Sequence, residues 1–171
     1  MKIAIIGYSG SGKSPLAKKL SEHYKIPALF LDTVNFLPNW VERDSEDGRF
    51  IVEDFLKNDS WVIDGNYNKF LQKQRLEQAD TIIFLDFPRS ICFRRAFNRY
   101  LKHRNSTRED MASGCIEKFD FEFIWWILHK GRDKGKRDHY KEIEKEFQDK
   151  IIILKNPKEV DLFLQKILIC D

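Results

Sequence analysis

Five short apolar runs recur along the chain: KIAII (2–6), ALFL (28–31), WVID (61–64), TIIFLD (81–86) and KIIIL (150–154). Each is apolar at nearly every position rather than at alternate ones. That is the pattern of strands buried on both faces of a parallel sheet. Between them lie stretches with helical periodicity at about 14–24, 46–58, 68–78, 89–103, 117–131 and 137–147, with a last one at 157–168. Strands alternating with helices predict βαβ units, and right-handed crossovers then restrict the topology to a few α/β arrangements. No repeat or low-complexity linker interrupts the pattern, so a single domain over 1–171 is expected.

Two segments depart from this rhythm. KHRNSTREDMASGCIE (102–117) is polar and aperiodic between two helices, as a lid or a solvated insertion would be. FDFEFIWWILHKG (119–131) is apolar nearly all round, which predicts a largely buried helix. It serves the core or a dimer contact, or it lines a pocket through Phe123 or Trp126, with Asp120 or Glu122 facing a polar group.

Composition narrows the class only a little. Thirty basic and 27 acidic residues nearly cancel, and the net charge of +3 does not by itself call for nucleic acid. Two basic stretches, 102–108 and 129–141, are nevertheless candidates for contacting phosphate. No apolar run is long enough to span a membrane, and none follows the first lysine as a secretory leader would. Cys92, Cys115 and Cys170 are scattered without metal-ligand spacing, which fits reduced thiols in a cytoplasmic protein.

The strongest chemical signal is GYSGSGKS, directly after the first strand and at the start of the first helix. Gly7, Gly12, Lys13 and Ser14 satisfy G-x-x-x-x-G-K-[ST]. Backbone N–H groups of Ser9, Gly10, Ser11, Gly12, Lys13 and Ser14 would turn around phosphate oxygens. Glycine permits the dihedrals this needs, and the helix directs its positive end at the anion. Lys13 would then reach the β- and γ-phosphates of ATP, and Ser14 would ligate Mg2+. Pro15 follows where many such loops offer one more N–H. Its fixed φ suits a first helical turn, but its missing donor predicts binding weaker by up to ~1–3 kcal/mol.

A phosphate loop leaves several classes open. A guanine reader of the NKxD type is absent, since NKFL (68–71) has Leu71 in place of the aspartate, and no Asp-Glu pair ends a strand as in large ATPases. Asp64 ends a strand ahead of Gly65 and is placed to hold magnesium-bound water, or else to cap a turn. Asp32 closes LFLD in the same way and is a candidate for contacting a phosphoryl acceptor. Among Arg94, Arg95 and Arg99, the last two share a helix face and could clamp phosphates, or could simply form a solvated face.

GxSGSGKS, WVIDGNY, FLDFPRSICFRRAFNR and DMASGCIEKFDFEFIWWI together resemble the bacterial DNA topology modulation proteins, which are similar to adenylate-kinase-like and shikimate-kinase-like P-loop kinases. The likeness runs over about 1–165. It implies a three-layer α/β/α fold with a five-stranded parallel sheet in order 2-3-1-4-5, a helical lid and phosphoryl transfer from a nucleoside triphosphate. By the same resemblance Asp64–Gly65 match a strand end beside the phosphate loop. Arg95 and Arg99 match lid-entry arginines, and Arg132 or Arg137 match arginines that follow a lid. The AMP-binding arginine of adenylate kinases is absent, because DGNYNK stands where DGFPR would be.

The sequence therefore favours a small Mg2+-dependent P-loop kinase. In it Ser14 and Asp64 hold the metal, Asp32 and Asn66 contact a small-molecule acceptor, and Arg95 and Arg99 close over the nucleotide. Monomer and homodimer remain open. The alternative is a nucleotide-dependent, DNA-associated regulator without turnover, using the basic stretch from Lys130 to Lys141. Near-neutral charge and the lack of a helix-turn-helix make nucleic acid the less favoured partner.

Overall fold

A computed structural model describes residues 1–103, 111 and 114–169. In chain order the elements are β1 (Lys2–Gly7), α1 (Lys13–Tyr24), β2 (Ala28–Phe30), α2 (Leu31–Asn35), β3 (Phe36–Leu37), β4 (Val41–Glu42), α3 (Ser45–Phe55) and β5 (Trp61–Asp64). They continue with α4 (Gln72–Gln78), β6 (Thr81–Leu85), α5 (Arg89–His103), α6 (Phe121–Leu128), α7 (Lys134–Glu146), β7 (Ile151–Leu154) and α8 (Pro157–Ile169).

Five parallel strands form the main sheet in the order β2-β5-β1-β6-β7, so the five apolar runs, counted along the chain, lie 2-3-1-4-5 as expected. β1 is central, with Ile5 in register with Asp64 on one side and Gly7 with Leu85 on the other. Ala4, Ile5 and Ile6 are wholly buried, as are Trp61, Val62 and Ile63 of β5. Helices covering both faces explain why these runs do not alternate with polar residues. The arrangement brings the carboxyl ends of β1, β2 and β5 together, where open α/β sheets bind their ligands.

The differences from the sequence pattern have local causes. β2 stops at Phe30, and Leu31 opens the short helix α2, which places Asp32 in a first turn rather than at a strand end. The β3–β4 ribbon has two residues per strand, too few for any periodicity to register. The helix expected from 68 begins at Gln72, because Leu71 is left-handed at φ 53°. That expected from 117 begins at Phe121, where Asp120 accepts a capping bond from the Phe123 N–H at 2.9 Å. Of the lid expected at 102–117, residues 104–110, 112 and 113 lie outside those described.

Candidate functional site

β1 ends at Gly7 and the chain curls through residues 8–12 before α1 begins. Gly10 and Gly12 are left-handed, at φ 81° and 99°. A Cβ on Gly10 would sit 2.5 Å from the Cys92 carbonyl oxygen, and one on Gly12 would collide with the Arg95 guanidinium. Conformation and space both demand glycine here. The first helical bond of α1 is Leu16 N–H to the Gly12 carbonyl, at 3.2 Å. The Lys13 and Ser14 amides precede it and cannot bond within the helix. Lys13 Nζ donates to the Tyr8 carbonyl at 3.3 Å, which keeps the ammonium at the loop. Ser11 is buried and its amide closes a turn onto the Tyr8 carbonyl at 3.1 Å. Pro15 is the third residue of α1, where no intrahelical donor is required.

The β5 end supplies the neighbouring wall. Asp64 is 5% exposed and, with Ser14, faces the same cleft. Asn66 lines the cleft and also holds the loop. Its Oδ1 accepts from the Gly7 N–H at 3.0 Å and its Nδ2 donates to the Gly7 carbonyl at 2.6 Å, so both amide ends hold the loop. Tyr67 donates its hydroxyl to Asp32 Oδ1 at 2.7 Å. Burial, followed by the charge of Asp32, pushes the phenol's ionisation far up, so Tyr67 remains the donor.

Arg75, which the sequence reading missed, fixes the whole turn. It is 0% exposed and gives Nε to the Phe70 carbonyl at 2.8 Å, Nη1 to Gly65 at 3.2 Å and Nη2 to Tyr67 at 3.0 Å. Burial lowers its pKa to about 10, with Asp64 acting in the opposite sense. A signal was present: in α4, Gln72, Arg75 and Leu76 fall on the inward face, which makes the arginine a core position.

The four predicted arginines separate. Arg95 lies against Gly12 and lines the cleft. Arg99 lines it too, but its Nε is ion-paired with Glu117 Oε1 at 2.9 Å. Arg132 is under the loop instead of over the phosphates: Nη2 donates to the Phe87 carbonyl at 2.6 Å and to Cys92 Sγ at 3.1 Å, and the guanidinium stacks 3.6 Å from the Tyr8 ring centre. Three anchors and near-complete burial make it a support for Tyr8. Arg137 lies in the first turn of α7, its amide bonded to the Asp133 carbonyl, and it does not line the cleft. The basic stretch containing these residues is partly neutralised, by Lys136–Asp133 at 3.1 Å and Lys141–Asp138 at 4.0 Å. Burial raises the Cys92 thiol pKa, which leaves it an unreactive packing group.

The aromatic helix α6 is divided between two environments, rather than mostly buried. Trp126 donates Nε1 to Ser9 Oγ at 3.1 Å, and Phe123 also lines the cleft. On the other side Phe121 and Trp125 stack on each other at 6.2 Å, with Phe121 77% exposed. An eight-residue helix on the rim of a cleft has too little protein around it to cover both faces.

The resulting cleft encloses about 1950 Å³ and runs from the loop to the β3–β4 ribbon. That is room for a nucleotide and a second small molecule. Among the described residues no group of three or more His, Cys, Asp or Glu forms a protein-only metal cage. The all-oxygen pair Ser14 and Asp64 fits a hard ion that keeps its waters and takes its other ligands from phosphate, as magnesium does. No helix among the described residues is long and apolar enough to cross a membrane.

Fold and loop together make a three-layer α/β protein whose P-loop opens onto a cleft at the carboxyl end of a parallel sheet. No family model matches the sequence. An adenylate kinase from Bartonella tribocorum is 26% identical over 121 residues, covering 69% of this chain and 61% of that protein. One from Clostridium botulinum is 29% identical over 130 residues, covering 72% and 56%. The chain thus spans about three fifths of the length of the curated relatives it matches. Among solved structures, shikimate kinase from Bacteroides thetaiotaomicron superposes with a TM-score of 0.53 at 16% identity, over 98% of this chain and 95% of that one. An uncharacterized protein from Eubacterium ventriosum gives 0.52 at 18% identity, over 98% and 97%. At these identities the structural matches speak for the fold.

Proposed function

We propose that the protein is a P-loop phosphotransferase that moves the γ-phosphoryl group of ATP to a hydroxyl of a small molecule. The observation that carries this reading is the loop of residues 7–14 opening, with Lys13, Ser14 and Asp64, onto a cleft that also contains Asp32. Similarity to proteins named adenylate kinase supports it. The loop amides and the start of α1 receive the phosphates, and Lys13 offsets charge on the transferred group. Ser14 and Asp64 would hold a magnesium ion, whose chemistry is to screen the phosphate oxygens. Arg95, beside Gly12, adds a second positive charge at the loop. Asp32, oriented by Tyr67, receives the acceptor hydroxyl. Such a protein lowers the barrier mostly by positioning and by electrostatics prepared in advance. A cytoplasmic location belongs to the same reading.

The test is an acceptor screen coupled to ADP release, run beside Lys13→Ala. Acceptor-dependent ADP production that disappears in Lys13→Ala supports the transferase. If MgATP binds but no acceptor raises ADP above the basal rate, the nucleotide-dependent DNA-associated regulator replaces it. Its mark would be DNA affinity falling steeply with salt.

A further inference from the structure

The phosphate loop carries three serines in three different settings. Ser14 reaches the cleft at the start of α1, and Ser11 is buried, 1% exposed, beneath the loop. Ser9 is half-buried and opens onto the cleft. Its hydroxyl is held by a residue 117 positions away: Trp126 donates Nε1 to Ser9 Oγ at 3.1 Å. An indole N–H can only donate, so the serine oxygen is the acceptor in this bond. A hydroxyl that accepts from one side turns its own proton away from that donor. The bond to Trp126 therefore fixes Oγ and leaves the Ser9 O–H to donate to something else.

Both members of the pair are anchored by groups of their own. A Cβ on Gly131 would lie 2.7 Å from the Trp126 carbonyl oxygen and 3.0 Å from Nε1, so the bare glycine makes room for the indole. The Lys136 ammonium sits 4.9 Å from the Trp126 ring centre, tied to Asp133 Oδ2 and the Lys130 carbonyl, each at 3.1 Å. Tyr8, the residue before Ser9, is stacked on Arg132 at 3.6 Å and meets Tyr140 edge to face at 5.1 Å. The position of Lys13 shows which phosphate the hydroxyl would meet. Its Nζ donates to the Tyr8 carbonyl at 3.3 Å, and that carbonyl shares a peptide with the Ser9 N–H. The ammonium that serves the β- and γ-phosphates thus lies one peptide from Ser9.

We propose, on the basis of the phosphotransferase reading, that the Ser9 hydroxyl donates to a non-bridging oxygen of the γ-phosphoryl group, and that Trp126 is the positioning residue that aims it. Charge is spread over those oxygens during phosphoryl transfer. A donor set in place before the reaction meets that charge without reorganising. The pair also lets the loop distinguish ATP from ADP, because ADP has no γ-phosphoryl group for the hydroxyl to meet.

Isothermal titration of MgATP and of MgADP into the parent, Ser9→Ala, Trp126→Phe and the double variant reads the ratio of the two dissociation constants. Lys13→Ala, run alongside, verifies that the nucleotide sits at the loop. Ser9→Ala should weaken MgATP by roughly tenfold or more, the scale of a hydrogen bond to a charged group, and should leave MgADP within about twofold of the parent. Trp126→Phe keeps an aromatic ring without the N–H and should lose part of the same preference for MgATP. The double variant should bind MgATP no more weakly than Ser9→Ala, since without the hydroxyl the indole has nothing to aim. An equal loss for both nucleotides in Ser9→Ala would make Ser9 part of the loop framework and overturn the proposal. So would unchanged MgATP affinity in that variant, and additive losses in the double variant would remove Trp126 from its positioning role. In each of these outcomes, Lys13-dependent binding of MgATP leaves the phosphotransferase reading standing. If the parent binds neither nucleotide, that reading and this inference fail together.

Discussion

Asn66 grips Gly7 by both sides of its backbone, accepting from the N–H at 3.0 Å and donating to the carbonyl at 2.6 Å. A carboxamide can do this because it presents a donor and an acceptor from one planar group. The turn after β5 is thereby fastened to the start of the phosphate loop, and Gln72 and His139 extend the connection. Gln72 Nε2 donates to the Asn66 carbonyl at 3.1 Å, and its Oε1 lies 2.7 Å from His139 Nε2. Asn66→Ala should destabilise the fold by about 1–3 kcal/mol and weaken MgATP binding. Asn66→Asp keeps the acceptor, loses the donor and adds a negative charge near the phosphates. It should therefore weaken MgATP binding further than alanine does. Isothermal titration with both variants, beside chemical denaturation, checks the order.

Pro15 is a sequence oddity whose consequence falls on binding rather than folding. It is the third residue of α1, upstream of the first residue whose amide is bonded, and it lines the cleft. Pro15→Ala restores an N–H at a helix start that faces the anion. The dissociation constant for MgATP should fall by about 5- to 150-fold, corresponding to ~1–3 kcal/mol. An unchanged constant would show that this amide position contacts no phosphate.

The sheet was legible in the sequence because each strand is buried on both faces and so reads as an uninterrupted apolar run. The phosphate loop was legible because its demands fall on consecutive residues. Asp32 and Asp64 were found at strand-like endings, although Asp32 proved to lie in α2. What sequence could not show was orientation. Arg132 has the same composition and setting as a phosphate-binding arginine, but its side chain points under Tyr8 toward the Phe87 carbonyl. Helical spacing puts Arg75 on the inward face of α4, but the return of residues 65–70 that supplies its three carbonyl partners is encoded by no local spacing. Phe121 and Phe123 are two residues apart in one apolar stretch, and only the placement of α6 at the rim puts them in different surroundings.

Arg75 leads to a stability prediction. Three carbonyls depend on one planar fork, so a truncation leaves all three without that donor in a dry interior. Arg75→Ala should cost at least ~3 kcal/mol. Arg75→Lys should recover little, because an ammonium cannot reproduce the fork. Urea denaturation gives the magnitude. A lysine variant as stable as the parent would show that charge, and not geometry, is what the turn requires.

Asp133 predicts a pH dependence. It caps α7, accepting from the Lys136 amide at 2.8 Å and from Lys136 Nζ at 3.1 Å. The capping amide, followed by the lysine bond, holds its carboxyl below the usual range. A depressed acid contributes stability that is present above its unfolded pKa and is lost as pH falls through the folded one. Asp133→Ala should therefore melt below the parent at neutral pH, and the gap should close as pH falls through and below the ordinary aspartate range. Parallel melting curves over that range test it, and a gap independent of pH would remove the carboxylate from the account.

Arg99 cannot be fully engaged with Glu117 and also be drawn over a nucleotide, and this competition can be measured. Glu117 is 4% exposed at its side chain and Arg99 30%, so removing either partner has unequal effects. Arg99→Ala removes one partner of a buried carboxylate and should destabilise the fold measurably. Glu117→Ala leaves a guanidinium that can turn toward solvent or the cleft, and it should cost less. The double variant should lie near Glu117→Ala, because the buried charge is gone. For nucleotide affinity the order should invert. Glu117→Ala releases Arg99 to the triphosphate and should tighten MgATP binding severalfold, and adding Arg99→Ala should cancel that gain. Titrations of the three variants separate the outcomes: if Glu117→Ala gains nothing, Arg99 belongs to the framework of the cleft and Arg95 alone of this helix pair serves the phosphates.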